Sequence, residues 1–134
     1  NLAARLEGLT KFYRVQCLMS RDTLSGVEDA GTFQHRRMDK VTVKGKVQPV
    51  DIYEVMGAGE TRLRGRKLDA QDQFQEAIDL FQAGDFKSAR KLFASVSADL
   101  PEDRATALYV ERCDEYLRRP PDAGWDGSLR LDSK

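Results

Sequence analysis

Two side chains at the start of the chain stand at a spacing that could do chemistry together. Asn1 and Arg5 are four residues apart in Asn1-Leu2-Ala3-Ala4-Arg5-Leu6-Glu7, a run with helical apolar spacing. On a helix such positions project within about 40° of each other, beside the Leu2/Leu6 stripe. An amide next to a guanidinium suits an anionic oxygen with a polar neighbour, although Asn and Arg on a helix surface are usually just solvated. A second cationic set follows between positions 36 and 46. There Arg36, Arg37, Lys40, Lys44 and Lys46 face only Asp39, a local charge of +4. That density suits phosphate, and a strand edge defended by Lys and Arg reads the same way.

Other chemistries find less support. His35 is the one histidine, and it sits among strand-like residues with no Cys, Asp or Glu at ligand spacing. Cys17 and Cys113 form no CxxC or Cys/His pair, so they read as two reduced, unpaired thiols. Gly57-Ala58-Gly59-Glu60 matches neither a dinucleotide fingerprint nor a Walker A spacing.

The elements that must hold these residues follow from periodicity. Leu2, Leu6, Leu9 and Tyr13 share one helix face. Val15, Cys17 and Met19 alternate as a strand does, and Ser20 reads as the N-cap of a brief helix. Residues 32–43 and 47–55 are β-rich runs joined at Lys44-Gly45-Lys46 as a hairpin, with Pro49 favouring an edge position. Residues 56–67 carry neither period and four basic side chains, which reads as a linker. From Leu68 the pattern is helical. Phe74, Ala77, Ile78 and Phe81 share a face, Gly84-Asp85 breaks it, and Phe86, Ala89, Leu92, Phe93 and Val96 share the next. Pro101 ends that helix, and a third runs from about Glu102 to Leu117 until Pro120-Pro121 stops it. Leu129 and Leu131 alternate with polar neighbours as a final short strand would.

Asn1-Leu-Ala-Ala-Arg5-Leu-Glu-Gly8-Leu-Thr, followed by the Val43-Lys44-Gly45-Lys46 hairpin and the Ile52-Tyr53-Glu54-Val55 strand, resembles the C-terminal half of the class III adenylyl/guanylyl cyclase catalytic domain. The resemblance covers residues 1–55, and Arg14 stands where many relatives carry Gly. It implies an α+β fold, the C-terminal part of a ferredoxin-like cyclase domain with a β-hairpin. It also implies that Asn1 orients the ribose, Arg5 contacts the α-phosphate and Lys44 grips the β- and γ-phosphates of a nucleoside triphosphate, ATP favoured over GTP. Two Mg2+ or Mn2+ ions belong to that chemistry, with aspartate ligands expected upstream of this chain. The active site is expected between two catalytic domains of a homodimer, this chain supplying the transition-state half. The isolated chain is then expected to be inactive.

Residues 68–134 follow much of the tetratricopeptide pattern (Ala77, Leu80, Gly84-Asp85-Phe86, Ala89, Phe93, Pro101), which implies a small all-α helical hairpin extension. Trp125 is expected to anchor its tail by packing. The competing reading is a non-catalytic interaction module with a helical tail on a degenerate scaffold. The organisation expected is thus a cyclase part over 1–55, a linker over 56–67 and a helical extension over 68–134.

Composition narrows the remaining classes. The 134 residues carry 22 basic and 22 acidic side chains and are 40% hydrophobic, which describes a globular chain with a real core. A formal charge of zero disfavours nucleic acid as a partner. No apolar run approaches the roughly 18 to 20 residues of a bilayer span, and no signal segment is present, so the chain reads as cytoplasmic. The opening in helix-interior style without Met reads as a fragment. The resemblance leaves room for a membrane-anchored parent with this part at the inner face.

Overall fold

The computed structural model describes residues 2–26, 34–43, 48–56 and 61–131. Among them are six helices and four strands, arranged as two compact units. The first unit spans 1–60 and takes back 128–134, and the second spans 61–127.

In the first unit, helix α1 (Leu2–Tyr13) buries Leu6, Leu9 and Tyr13 of the stripe expected from the sequence and leaves its first member, Leu2, half-buried. It ends in a Schellman motif, with Arg14 at φ 56° and the Val15 N–H donating to the Thr10 carbonyl at 3.0 Å. Strand β1 (Leu18–Ser20) runs directly into α2 (Arg21–Ser25). Ser20 caps α2 by accepting from the Thr23 N–H at 3.1 Å, as its position predicts. Strands β2 (Gln34–Val43) and β3 (Val50–Met56) form the expected antiparallel pair. Their expected turn, with Lys44, lies outside the described residues.

The sheet order is β1-β3-β2-β4, where β4 is Leu129–Leu131. Strand β3 is therefore interior, and Pro49 does not mark an edge. It precedes the first paired residue, where its missing N–H leaves the ladder intact. Strand β1 pairs antiparallel with β3, and β4 pairs parallel with β2, Val41 opposite Leu129 through Val43 opposite Leu131. The register of β2 on β3 shifts at a bulge between Arg37 and Asp39.

The second unit begins with α3 (Thr61–Asp69), so much of the stretch expected as a linker is helix. Propensity accounts for part of this, because apart from Thr61, Gly65 and Asp69 the helix is Arg, Leu and Lys, with Arg66 and Lys67 in the last turn, where cations complement the helix dipole. Tertiary contacts supply the rest. Arg66 donates to the Glu102 carboxylate at 3.2 Å and to the Asp99 carbonyl.

Helices α4 (Gln71–Gln82), α5 (Phe86–Asp99) and α6 (Arg104–Arg118) follow, α5 packing against both neighbours. The α4–α5 turn is a second Schellman motif on Gly84 at φ 89°, and Asp85 then caps α5 by accepting from Ser88 N–H at 3.2 Å. Ala77 and Ala89 are fully buried, so the helices approach closely. Phe93 stacks on Tyr109 with centroids 4.4 Å apart, and Phe74 and Phe81 meet that Tyr109 edge-on. Trp125 packs on Phe81, Phe86 and Tyr116, as expected of an anchor. The division of the chain differs from the sequence expectation at its end, because 128–134 returns to the first unit. Three residues with half-buried leucines cannot form a strand alone, and β2 supplies the ladder.

Candidate functional site

Of the three residues singled out for triphosphate chemistry, the described part contains Arg5. It lies on the first turn and a half of α1, half-buried, one position from Leu6 and so beside the buried stripe. Asn1 and Lys44 lie outside the described residues, so their approach to Arg5 is not described.

Two buried polar pairs in the same unit fix the frame that carries Arg5. Tyr13, fully buried at the end of α1, donates its hydroxyl to Asp39 Oδ2 on β2, and Asp39 Oδ1 accepts from the Lys40 backbone N–H at 2.7 Å. The helix is thereby held to the sheet through a charge-assisted bond with little water in reach. On the same sheet, Arg36 and Glu54 stand opposite each other across β2 and β3, and Arg36 Nε meets Glu54 Oε1 at 2.8 Å with side-chain exposures of 1% and 4%.

This corrects the reading of residues 36–46 as one cationic patch. Arg36 is neutralised and inaccessible, and Asp39, counted as the lone opposing charge, is spent on Tyr13 and Lys40. Arg37 and Lys40 are half-buried. The period-two pattern of β2 could not reveal this, because the bulge changes which residues share a face. The one signal for Asp39 was a single acid in a basic strand, and for Tyr13 a phenol closing an otherwise aliphatic stripe.

A cavity of about 540 Å3 lies between α1 and the β1–α2 segment, walled by Leu2, Leu6, Thr10, Cys17, Leu18 and Met19 among others. His35, on β2, meets Tyr53 edge-on at 5.9 Å. Both cysteines are free thiols. Cys113 is fully buried, and that burial pushes its thiol from the ordinary 9.0 up to about 12. Among the described residues no three His, Cys, Asp or Glu side chains converge on a point where a metal could sit. None of the described helices is long and apolar enough to cross a membrane.

With this geometry in view, the chain is similar to curated adenylate cyclases. It is 31% identical over 119 residues to the terminal-differentiation-specific adenylate cyclase of Dictyostelium discoideum, a match covering 88% of this chain and 6% of that protein. It is 41% identical over 56 residues to an adenylate cyclase of Anabaena cylindrica, which covers 41% of this chain and 11% of that protein. The chain thus spans a small fraction of the length of either relative. A match over 88% of the chain necessarily crosses from the sheet unit into the helical unit, so the cyclase relationship extends to both. No family model and no solved structure matches.

Proposed function

We propose that this chain is part of a class III nucleotide cyclase that converts ATP to 3′,5′-cyclic AMP and pyrophosphate in cyclic-nucleotide signalling. The observation that carries the reading is the similarity to two adenylate cyclases, and their names favour ATP over GTP. The placement of Arg5 on a helix held down at its far end by Tyr13 and Asp39 is consistent with it.

In this reading the ribose 3′-oxygen attacks the α-phosphorus. The new O3′–P bond forms as the bond to the bridging oxygen of pyrophosphate breaks, and the hydroxyl proton passes to water or a general base. Negative charge grows on the α-phosphate oxygens and on the leaving group. A guanidinium held by a packed helix binds that charge better in the transition state than in the ground state, which is the role of Arg5. Asn1 orients the ribose. Lys44 binds the β- and γ-phosphates, which are charged before and during reaction. Two Mg2+ or Mn2+ ions would supply positive charge to this chemistry, and in this reading their aspartate ligands lie upstream of this chain. The site forms between two copies, one supplying the metal ligands and the other Asn1, Arg5 and Lys44.

The helical unit, tetratricopeptide-like in its α4–α5 hairpin, is structural or regulatory. Gly84 at the turn and buried Ala77 and Ala89 support that likeness.

The test is kinetic, in a longer protein that contains this chain and has measurable turnover of ATP. Arg5→Ala should lower kcat by on the order of 10²- to 10³-fold, as expected for loss of one transition-state donor. Lys44→Ala should raise KM as well as lower kcat. Wild-type kcat/KM in either variant would refute the role assigned to that residue.

A further inference from the structure

The helical unit is inserted in the chain between β3 and β4, and those two strands flank β2 on opposite sides. The register fixes where the chain leaves and returns. Met56 at the end of β3 stands opposite Gln34, and Leu129 at the start of β4 stands opposite Val41. These positions on β2 are about 20 Å apart at the usual rise per strand residue. The returning strand is slight. It pairs over three residues, Leu129 and Leu131 are half-buried, and Arg130 is exposed. Just before it, buried Ser128 meets buried Thr42 of β2, their hydroxyl oxygens 2.7 Å apart.

We propose that β4 is a clasp whose docking on β2 depends on the helical unit being folded, so that the helical unit governs the order of the C-terminal end of β2. A three-residue strand has too little ladder and buried area to dock against a freely moving chain end. Folded, the intervening unit holds its own two ends, Thr61 and Gly127, at one separation, which shortens the loop that docking of β4 must close. Unfolded, residues 61–127 become a flexible loop, and the effective concentration of β4 at β2 falls with about the −3/2 power of its length. The coupling is reciprocal, so loosening β4 must also weaken the helical unit. Anything that stabilises or melts the helical unit therefore acts on Val41–Val43. This inference does not rest on the cyclase reading.

Two arms test it on the full chain. In the first, Phe93→Leu and Phe93→Ala loosen the helical core where Phe93 stacks on Tyr109, and amide hydrogen exchange is followed at 41–43 and 129–131. Exchange there should quicken at least tenfold while amides pairing Arg36–Arg37 with Tyr53–Glu54 stay protected. In the second, Thr42→Val and Ser128→Ala cut the hydroxyl contact within the sheet unit, and Trp125 fluorescence reports urea unfolding of the helical unit. Its midpoint should fall although neither residue belongs to that unit. Wild-type protection at 129–131 in a Phe93 variant whose Trp125 midpoint has fallen would overturn the proposal. An unmoved Trp125 midpoint in both hydroxyl variants would overturn it independently, including where Phe93→Ala fails to fold.

Discussion

Replacing Arg14 by glycine should make the protein more stable, and the structure sets the size of the effect. Arg14 holds φ 56° at the end of α1, and among the described non-glycine residues it alone has a positive φ. Left-handed backbone costs an L-residue about 1 to 2 kcal/mol, because Cβ crowds the following carbonyl. Glycine removes that cost but enlarges the entropy of the unfolded chain, worth roughly 0.5 to 1 kcal/mol. The net expectation for Arg14→Gly is about 0.5 to 1 kcal/mol of added stability, a rise in Tm of roughly 2 to 4 °C for a chain of this size. Arg14→Ala is the control, since it removes the exposed side chain without relieving the backbone and should change stability by no more than about 0.5 kcal/mol. Gly84→Ala supplies the mirror experiment. A Cβ at Gly84 would meet nothing within 4 Å, so φ 89° alone sets its cost, about 1 kcal/mol of lost stability. Urea unfolding followed by circular dichroism, with m-values compared, measures all three variants. A destabilised Arg14→Gly protein with unchanged m would refute the strain argument.

Three further outcomes follow from the packing. Glu54→Leu and Arg36→Met should each cost about 3 to 5 kcal/mol by stranding a buried charge, whereas the double substitution should recover most of that loss; additive losses in a double-mutant cycle would contradict a coupled pair. Cys113 ionises near 9.0 when unfolded and about 12 when folded, so the unfolded state loses its proton first and stability should fall as pH rises between those values. Cys113→Ala should flatten that part of the pH–stability curve, and native chain should be labelled by a thiol reagent at half-exposed Cys17 well before Cys113. Gly127→Ala should cost more than Gly84→Ala, because φ 90° is joined there by a Cβ only 3.0 Å from the Gln82 carbonyl oxygen, and equal melting points would show that the contact relaxes freely.

The parts legible in the sequence are those in which one period or one local signal decides. The stripe through Leu6, Leu9 and Tyr13, the Ser20 cap, the Gly84-Asp85 break and the apolar faces of α4, α5 and α6 all belong to this kind. What was not legible depends on distant partners. Nothing near Arg62–Lys67 announces that Arg66 will find Glu102 and the Asp99 carbonyl, so the run reads as a linker. Nothing near Leu129 announces that β2 awaits it, so the last strand reads as part of the helical extension. The candidate site divides in the same way. The position of Arg5 beside a buried stripe follows from helix spacing alone, whereas the loss of Arg36 from the cationic patch follows from the register that sets it opposite Glu54. One consequence is practical: no single cut separates the two units, because removing everything after Val55 also removes β4 from the sheet.

The bulge at Arg37–Asp39 gives β2 two frames. Before it, Arg36 faces the same side as Glu54, and beyond it Asp39 pairs with Ile52 and turns to that side too, although an odd number of steps separates Arg36 from Asp39. The parity of every later position on the strand is set by that one inserted residue. A relative that lacks it, aligned without a gap, would have its side chains from Asp39 onward assigned to the wrong face of the sheet. Deleting Met38 would remove the extra residue and leave Asp39 opposite Ile52 and Val41 opposite Val50, each on the face it has now. Keeping Met38 but pairing it as an ordinary strand residue would instead leave every letter in place while exchanging one face of the sheet for the other along Val41-Thr42-Val43.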